Sequence, residues 1–273
     1  PPPAFAATTR YSSTRVLAVG GMGVVYEAFD AELDRHVAIK ALRPELIGTD
    51  VVSVLTAEAK TTCHLEHPNI VPVYDAGTTP NGIPFYVMRL AQQPTLADVL
   101  DTLREISPTP FADRASVGGW SLARLLRCFL QVCEAVRFAH SRDVIHCDLK
   151  PSNVLVGNFG EVLVADWGMS VGGSNRSVRG GTFGYMPMEQ LVSGAASAQT
   201  DIFALGAILY EILTFRQAFP ANSSSIQKNR VKGGTPMLQS PPSPRQVRPE
   251  VPEDISDACM KAIALQPHER YQT

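Results

Sequence analysis

The stretch Val144–Gly168, reading VIHCDLKPSNVLVGNFGEVLVADWG, constrains this chain more than any other. Two short apolar runs, Val154-Leu155-Val156 and Val162-Leu163-Val164, flank a turn containing Asn158 and Gly160. Apolar runs around an Asn/Gly turn predict a β-hairpin. Such a hairpin brings Asn153, at its entrance, close to Asp166, at its exit. Two hard oxygen ligands side by side suit Mg²⁺, which takes one or two protein oxygens and completes its shell with phosphate and water. Asp148, just upstream, is placed to orient a hydroxyl nucleophile, and Lys150 to offset charge on a transferred group. Pro151 stiffens the loop between Asp148 and Asn153. This is the pattern of a phosphoryl-transfer site.

Composition sets the frame around that stretch. The chain has 273 residues, 45% hydrophobic and 18% charged, enough for one large domain or two lobes. A formal net charge of −2 gives no reason to expect nucleic acid or an anionic membrane as the main partner. Cys63, Cys128, Cys133, Cys147 and Cys259 are odd in number and form no CxxC pair, so reduced thiols in a cytoplasmic protein are expected. No signal peptide pattern is present. The longest apolar run, Ile202–Phe215, is interrupted by Glu211 and reads as a buried helix. The chain starts at Pro1 without a methionine and stops at Thr273, so it is expected to be the cytoplasmic domain of a longer, membrane-anchored protein.

Taken in order, residues 1–14 read as a linker, and a β-rich lobe of residues 15–90 follows. Its strands are Val16–Val19, Val24–Ala28, His36–Leu42, Ile70–Tyr74 and Phe85–Leu90, with one helix over residues 50–65 carrying Glu58. The cluster Gly20-Gly21-Met22-Gly23 marks a turn. From residue 91 the texture becomes helical: Thr95–Leu103, Leu122–His140, Asp201–Thr214 and Ile255–Leu265. Polar loops are expected at residues 107–119 and 170–181.

HCDLKPSN followed by DWG resembles the catalytic and metal loops of the eukaryotic-like (Hanks-type) protein kinases, and within them the bacterial Ser/Thr group. The resemblance implies an α+β, bilobal fold with a β-rich N-lobe, a mostly helical C-lobe and ATP in the cleft. It implies that Leu17, Ala18, Gly20, Gly23 and Val25 form the glycine-rich nucleotide loop. Lys40, in VAIK, would hold the nucleotide phosphates while pairing with Glu58. Val25, Ala38 and Leu155 would sandwich the adenine, with Met88 as gatekeeper and Leu90 in the hinge. Asp148 would be the base, Lys150 the phosphate stabiliser, and Asn153 and Asp166 the Mg²⁺ ligands. Thr182 would lie beside the acceptor hydroxyl. His146 would pack beneath the metal loop, Asp201 would hold the catalytic-loop backbone, and Glu189 would pair with Arg270. Protein substrates, ATP and Mg²⁺ are the implied partners.

Bland readings stand beside these. A glycine cluster is an ordinary turn, a strand lysine is ordinarily solvated, and two distant charges ordinarily share nothing. What favours the specific reading is the order in which all these residues recur across residues 17–270.

The sequence also departs from the family at Ala18 (a glycine), Cys147 (an arginine), Trp167 (a phenylalanine) and Met188 (a proline). A pseudokinase that binds nucleotide or serves as a scaffold is therefore the competing reading, and a small-molecule phosphotransferase a third. That arginine commonly clamps a phosphorylated activation loop, so its loss predicts weak dependence on such phosphorylation. Ser174 and Ser177 are then expected to matter little and Thr182 more, and Cys147→Arg is expected to fold.

Overall fold

In the computed structural model, residues 10–49, 51–91, 94–106, 119–157, 159–172, 177–178, 180–220 and 238–272 are described. Of the loop expected over 107–119, residues 107–118 lie outside them, as does Ser174. The chain divides into two compact units, residues 1–93 and 94–273.

The N-terminal unit is an antiparallel sheet of strands β1 (Tyr11–Val19), β2 (Gly23–Asp30), β3 (Arg35–Leu42), β4 (Val73–Thr78) and β5 (Pro84–Arg89), ordered β1-β2-β3-β5-β4. Helix α1 (Val51–His64) packs on it. Strand β3 shows why these residues make a sheet. Val37, Ile39 and Ala41 recur at period two and are buried with Leu55 and Ala59 of α1. Ala38 and Lys40 therefore occupy the opposite face. Cross-strand register then sets Val25 of β2 and Tyr86 of β5 beside Lys40, and Met88 beside Ala38.

Two boundaries differ from expectation. Strand β1 begins at Tyr11, inside the stretch expected to be a linker, because Ser12 to Arg15 pair with β2 despite their polarity. The strand expected over Ile70–Tyr74 is Val73–Thr78 instead. Ile70 and Val71 are apolar because their connecting segment is buried.

The C-terminal unit is mainly helical: α2 (Leu96–Ile106), α3 (Leu122–Ser141), α4 (Met188–Ser193), α5 (Ala198–Thr214) and a later helix Glu253–Ala262. Along α3, Leu125, Cys128, Val132, Ala135, Val136 and Ala139 recur at helical spacing and form its buried face. Ser121 caps its start by accepting from the Arg124 N–H. Helix α5 is buried almost throughout, and a Ser197/Thr200 capping box satisfies its first turn. Side chains such as Phe203, Ile208 and Ile212 each contribute roughly 1.5–3 kcal/mol on burial.

The hairpin forms as its pattern requires. Strands β7 (Val154–Val156) and β8 (Val162–Val164) pair antiparallel, Val154 opposite Val164. Two-residue strands β6 (Val144–Ile145) and β9 (Val171–Gly172) pair beside it. Among the described residues no helix is long and apolar enough to cross a membrane.

Candidate active site

The candidate residues fall into two sets, one in each unit. In the N-terminal unit the Lys40 Nζ donates to Glu58 Oε1 at 2.7 Å. Both side chains are largely shielded, so the pair lies in lower dielectric than a surface pair. The Tyr86 hydroxyl donates to the same oxygen at 2.7 Å and fixes the carboxylate from β5. Sequence reasoning missed Tyr86, because within the apolar run PFYVM its ring reads as core.

The glycine turn closes with Gly20 N–H donating to Gly23 O at 2.8 Å. A Cβ at Gly23 would lie 2.7 Å from the Ala41 carbonyl oxygen, so sheet packing itself demands glycine there. Gly21 meets nothing within 4 Å, and Ala18 is exposed beside Val25 in the register. A bare, accessible backbone turn next to the lysine row fits a phosphate chain.

In the C-terminal unit the catalytic loop hangs from Asp201. One carboxylate oxygen accepts from the His146 N–H at 2.8 Å and the other from the Cys147 N–H at 2.9 Å. The His140 Nε2 lies 2.8 Å from Asp201 as well. Buried at the start of α5, Asp201 is thus satisfied on both oxygens. The Asp148 N–H donates to His146 Nδ1 at 3.3 Å, so the proton sits on Nε2, which donates to Ala165 O at 3.1 Å. The His146 ring packs on Trp167, centroids 4.5 Å apart, and the indole is buried with its N–H toward Val164 O. Tryptophan fills the apolar slot under the metal loop.

Asp148, Lys150 and Thr182 meet as a triangle. Lys150 Nζ donates to Asp148 Oδ2 at 2.7 Å and to Thr182 Oγ1 at 2.8 Å. The Thr182 hydroxyl donates to Asp148 Oδ1 at 2.7 Å. The Asn153 side-chain N–H donates to Asp148 O at 2.9 Å. The Ala165 N–H donates to Asn153 O at 2.9 Å, so the hairpin brings the Asn153 and Asp166 segments side by side. The donor set, one amide oxygen and one carboxylate, fits a hard cation whose remaining ligands are phosphate oxygens and water.

Cys147 and Asp166 both adopt left-handed backbone, φ 67° and 63°, a conformation that costs non-glycine residues energy and concentrates at functional sites. Cys147 is 4% exposed and sits in an apolar cluster with Ile145, Ala196, Met169, Val171 and Val178. Burial, with Asp201 nearby, pushes its thiol well up, which removes it as a nucleophile. Arginine at 147, expected from the resemblance to fold, would have to displace these apolar side chains.

Further out, Arg270 makes a bidentate pair with Glu189 at 2.6 and 3.1 Å. Its guanidinium also donates to the Gln199, Ala264 and Leu265 carbonyls, so the buried charge is fully satisfied. Gln190 is a second residue that sequence reasoning missed. It is buried, and its amide reaches Cys147 O and Gly180 O.

Residues 11–273 match the protein kinase domain family. The chain belongs to that family. This kinase domain is similar to the serine/threonine-protein kinase PknD of Chlamydia pneumoniae, 33% identical over 97% of this chain and 30% of that protein. PknD of Chlamydia caviae gives the same identity and coverage, and PknD of Chlamydia abortus is 33% identical over 96% of the chain and 29% of its own length. The chain thus spans about 30% of the length of the curated relatives it matches. The five-stranded sheet and the helical unit are the α+β arrangement of the family, which generally uses ATP and Mg²⁺.

Proposed function

We propose that this kinase domain transfers the γ-phosphate of ATP to serine or threonine hydroxyls of protein substrates, in bacterial signalling and as a cytoplasmic part of a longer protein. The observation that carries the reading is the Asp148–Thr182–Lys150 triangle. Asp148 already holds a threonine hydroxyl of its own chain at 2.7 Å, the hydrogen bond an acceptor hydroxyl needs. Lys150 places a positive charge within 2.8 Å of that oxygen.

In this reading Asp148 orients the attacking hydroxyl and takes its proton as the bond to phosphorus forms, while Lys150 offsets negative charge on the group in transit. Lys40, aligned by Glu58 and Tyr86, steadies the phosphates, and Val25, Ala38, Met88 and Leu90 of the N-terminal unit take the base. Asn153 Oδ1 and the Asp166 carboxylate would hold a divalent cation, which supplies charge neutralisation across the phosphates when bound. The protein does little covalent work; its contribution is position and electrostatics.

The retained triangle and the Lys40–Glu58 pair favour an active enzyme over a scaffold. Phosphoamino-acid analysis after incubation with labelled ATP and Mg²⁺ tests this. Label on serine or threonine that disappears with a chelator is expected. Label on tyrosine alone, or none at all, would contradict the reading.

A further inference from the structure

We propose that Gln190 is a positioning residue for phosphoryl transfer, its side-chain amide tying the catalytic loop to the segment that carries Thr182. The proposal rests on the kinase reading of the same site.

Gln190 lies in the first turn of α4 and is 3% exposed. Its Nε2 donates to the Cys147 carbonyl at 2.8 Å and to the Gly180 carbonyl at 2.9 Å. A side-chain amide has two hydrogens, and each here goes to a different chain segment. Cys147 immediately precedes Asp148, and Gly180 stands two residues before Thr182. The two carbonyls therefore belong to the strands of chain that meet in the Asp148–Thr182 hydrogen bond. One rigid group sets the spacing on which that bond depends.

Three further observations single out the amide. The Gln190 Oε1 is buried with no hydrogen-bond partner among the described residues, so the side chain is held there for its donors at the expense of its acceptor. Gly181 has φ 125°, and a Cβ there would fall 2.9 Å from Gln190 Nε2 and 3.0 Å from Met186 Sδ, so glycine keeps room for the amide. The neighbouring Glu189 is locked to Arg270, which anchors the turn from which Gln190 projects.

The tie is neutral. Beside it, Cys147 packs on Met169, Val171 and Val178.

The test compares wild type with Gln190→Met, which keeps length and loses both donors, and with Gln190→Glu, which keeps shape, has one donor when protonated and none when ionised. Gln190→Met is expected to lower kcat at least tenfold while KM for ATP changes less than twofold, since Lys40 and Glu58 are untouched. Gln190→Glu is expected to show an extra ionisation in its kcat–pH profile, activity falling as pH rises, that wild type lacks. Amide hydrogen exchange over residues 147–149 and 180–186 is expected to quicken in Gln190→Met. Wild-type kcat in Gln190→Met overturns the proposal. Should Gln190→Met fail to fold, a Gln190→Glu profile parallel to wild type overturns it instead. Should wild type itself transfer no phosphate, the kinase reading fails, and unchanged exchange in both segments would then separately refute the tie.

Discussion

The Thr182 hydroxyl donates to Asp148 Oδ1 at 2.7 Å while accepting from Lys150 at 2.8 Å. Threonine thereby joins the segment before α4 to the Asp148 carboxylate through one oxygen. Thr182→Ala removes that oxygen and is expected to cut kcat more than about tenfold, a barrier change of ~1.4 kcal/mol. Thr182→Ser keeps it and should retain most activity. Ser177, which meets Ala195 through a backbone bridge, should tolerate alanine with little loss. Steady-state kinetics of the three variants check this, and a larger loss for Ser177→Ala than for Thr182→Ala would contradict it.

Cys147→Arg should destabilise the domain, because a side chain far larger than the thiol must displace the packed cluster of Ile145, Ala196, Met169, Val171 and Val178. Cys147→Ala should cost far less, with only a small void left behind. Urea unfolding of both variants gives the comparison. An arginine variant as stable as wild type would show that the pocket opens to solvent.

The five cysteines are free, and of these Cys63 is exposed. Burial pushes the thiols of Cys147 and Cys259 up, and that of Cys133 up to about 12. Mass spectrometry after alkylation at pH 8 should find Cys63 labelled and those three protected until the chain is unfolded. The same shifts give a pH dependence. Groups whose folded pKa is raised keep their protons in the fold while the unfolded chain releases them, starting at the ordinary thiol value of 9.0. Stability is therefore full below pH 9.0 and falls above it, by up to about 1.4 kcal/mol per pH unit for each buried thiol. Tyr185, raised by burial and by Glu211, adds to the loss above the ordinary phenol value of 10.0. A melting temperature that holds steady from pH 8 to 11 would contradict this.

Much of this was legible because the chemistry uses short, local spacing. The β7–β8 hairpin, and with it the approach of the Asn153 and Asp166 segments, follows from alternating apolar runs about an Asn/Gly turn. The Lys40–Glu58 pair was legible through the family resemblance, carried by VAIK and by Glu58 on the helix that follows. Gln190 and Tyr86 were illegible because their roles arise only when distant segments meet; neither an amide nor a phenol in an apolar run announces its partner. Strand β4 was misplaced since its residues, VYDAGT, are mostly exposed and lack the alternation that marks a half-buried strand. The apolar surroundings of Cys147 were illegible because a family resemblance describes the usual side chain and not the packing around this one.

Arg270 links Glu189 to three backbone carbonyls, so Arg270→Leu orphans a carboxylate and several acceptors at once. Breaking one side of such a buried pair costs about 3–5 kcal/mol. The denaturant midpoint should fall accordingly, and a shift below 1 kcal/mol would show that the pair is solvated.

The central claim is most directly tested by phosphate transfer from radiolabelled Mg·ATP, to the protein itself and to a generic basic substrate, with Asp148→Asn and Lys40→Met measured beside wild type. The account predicts incorporation by wild type that vanishes in both variants while all three remain folded. No incorporation by wild type, together with a Mg·ATP-dependent rise in melting temperature, would contradict it and leave a nucleotide-binding pseudokinase.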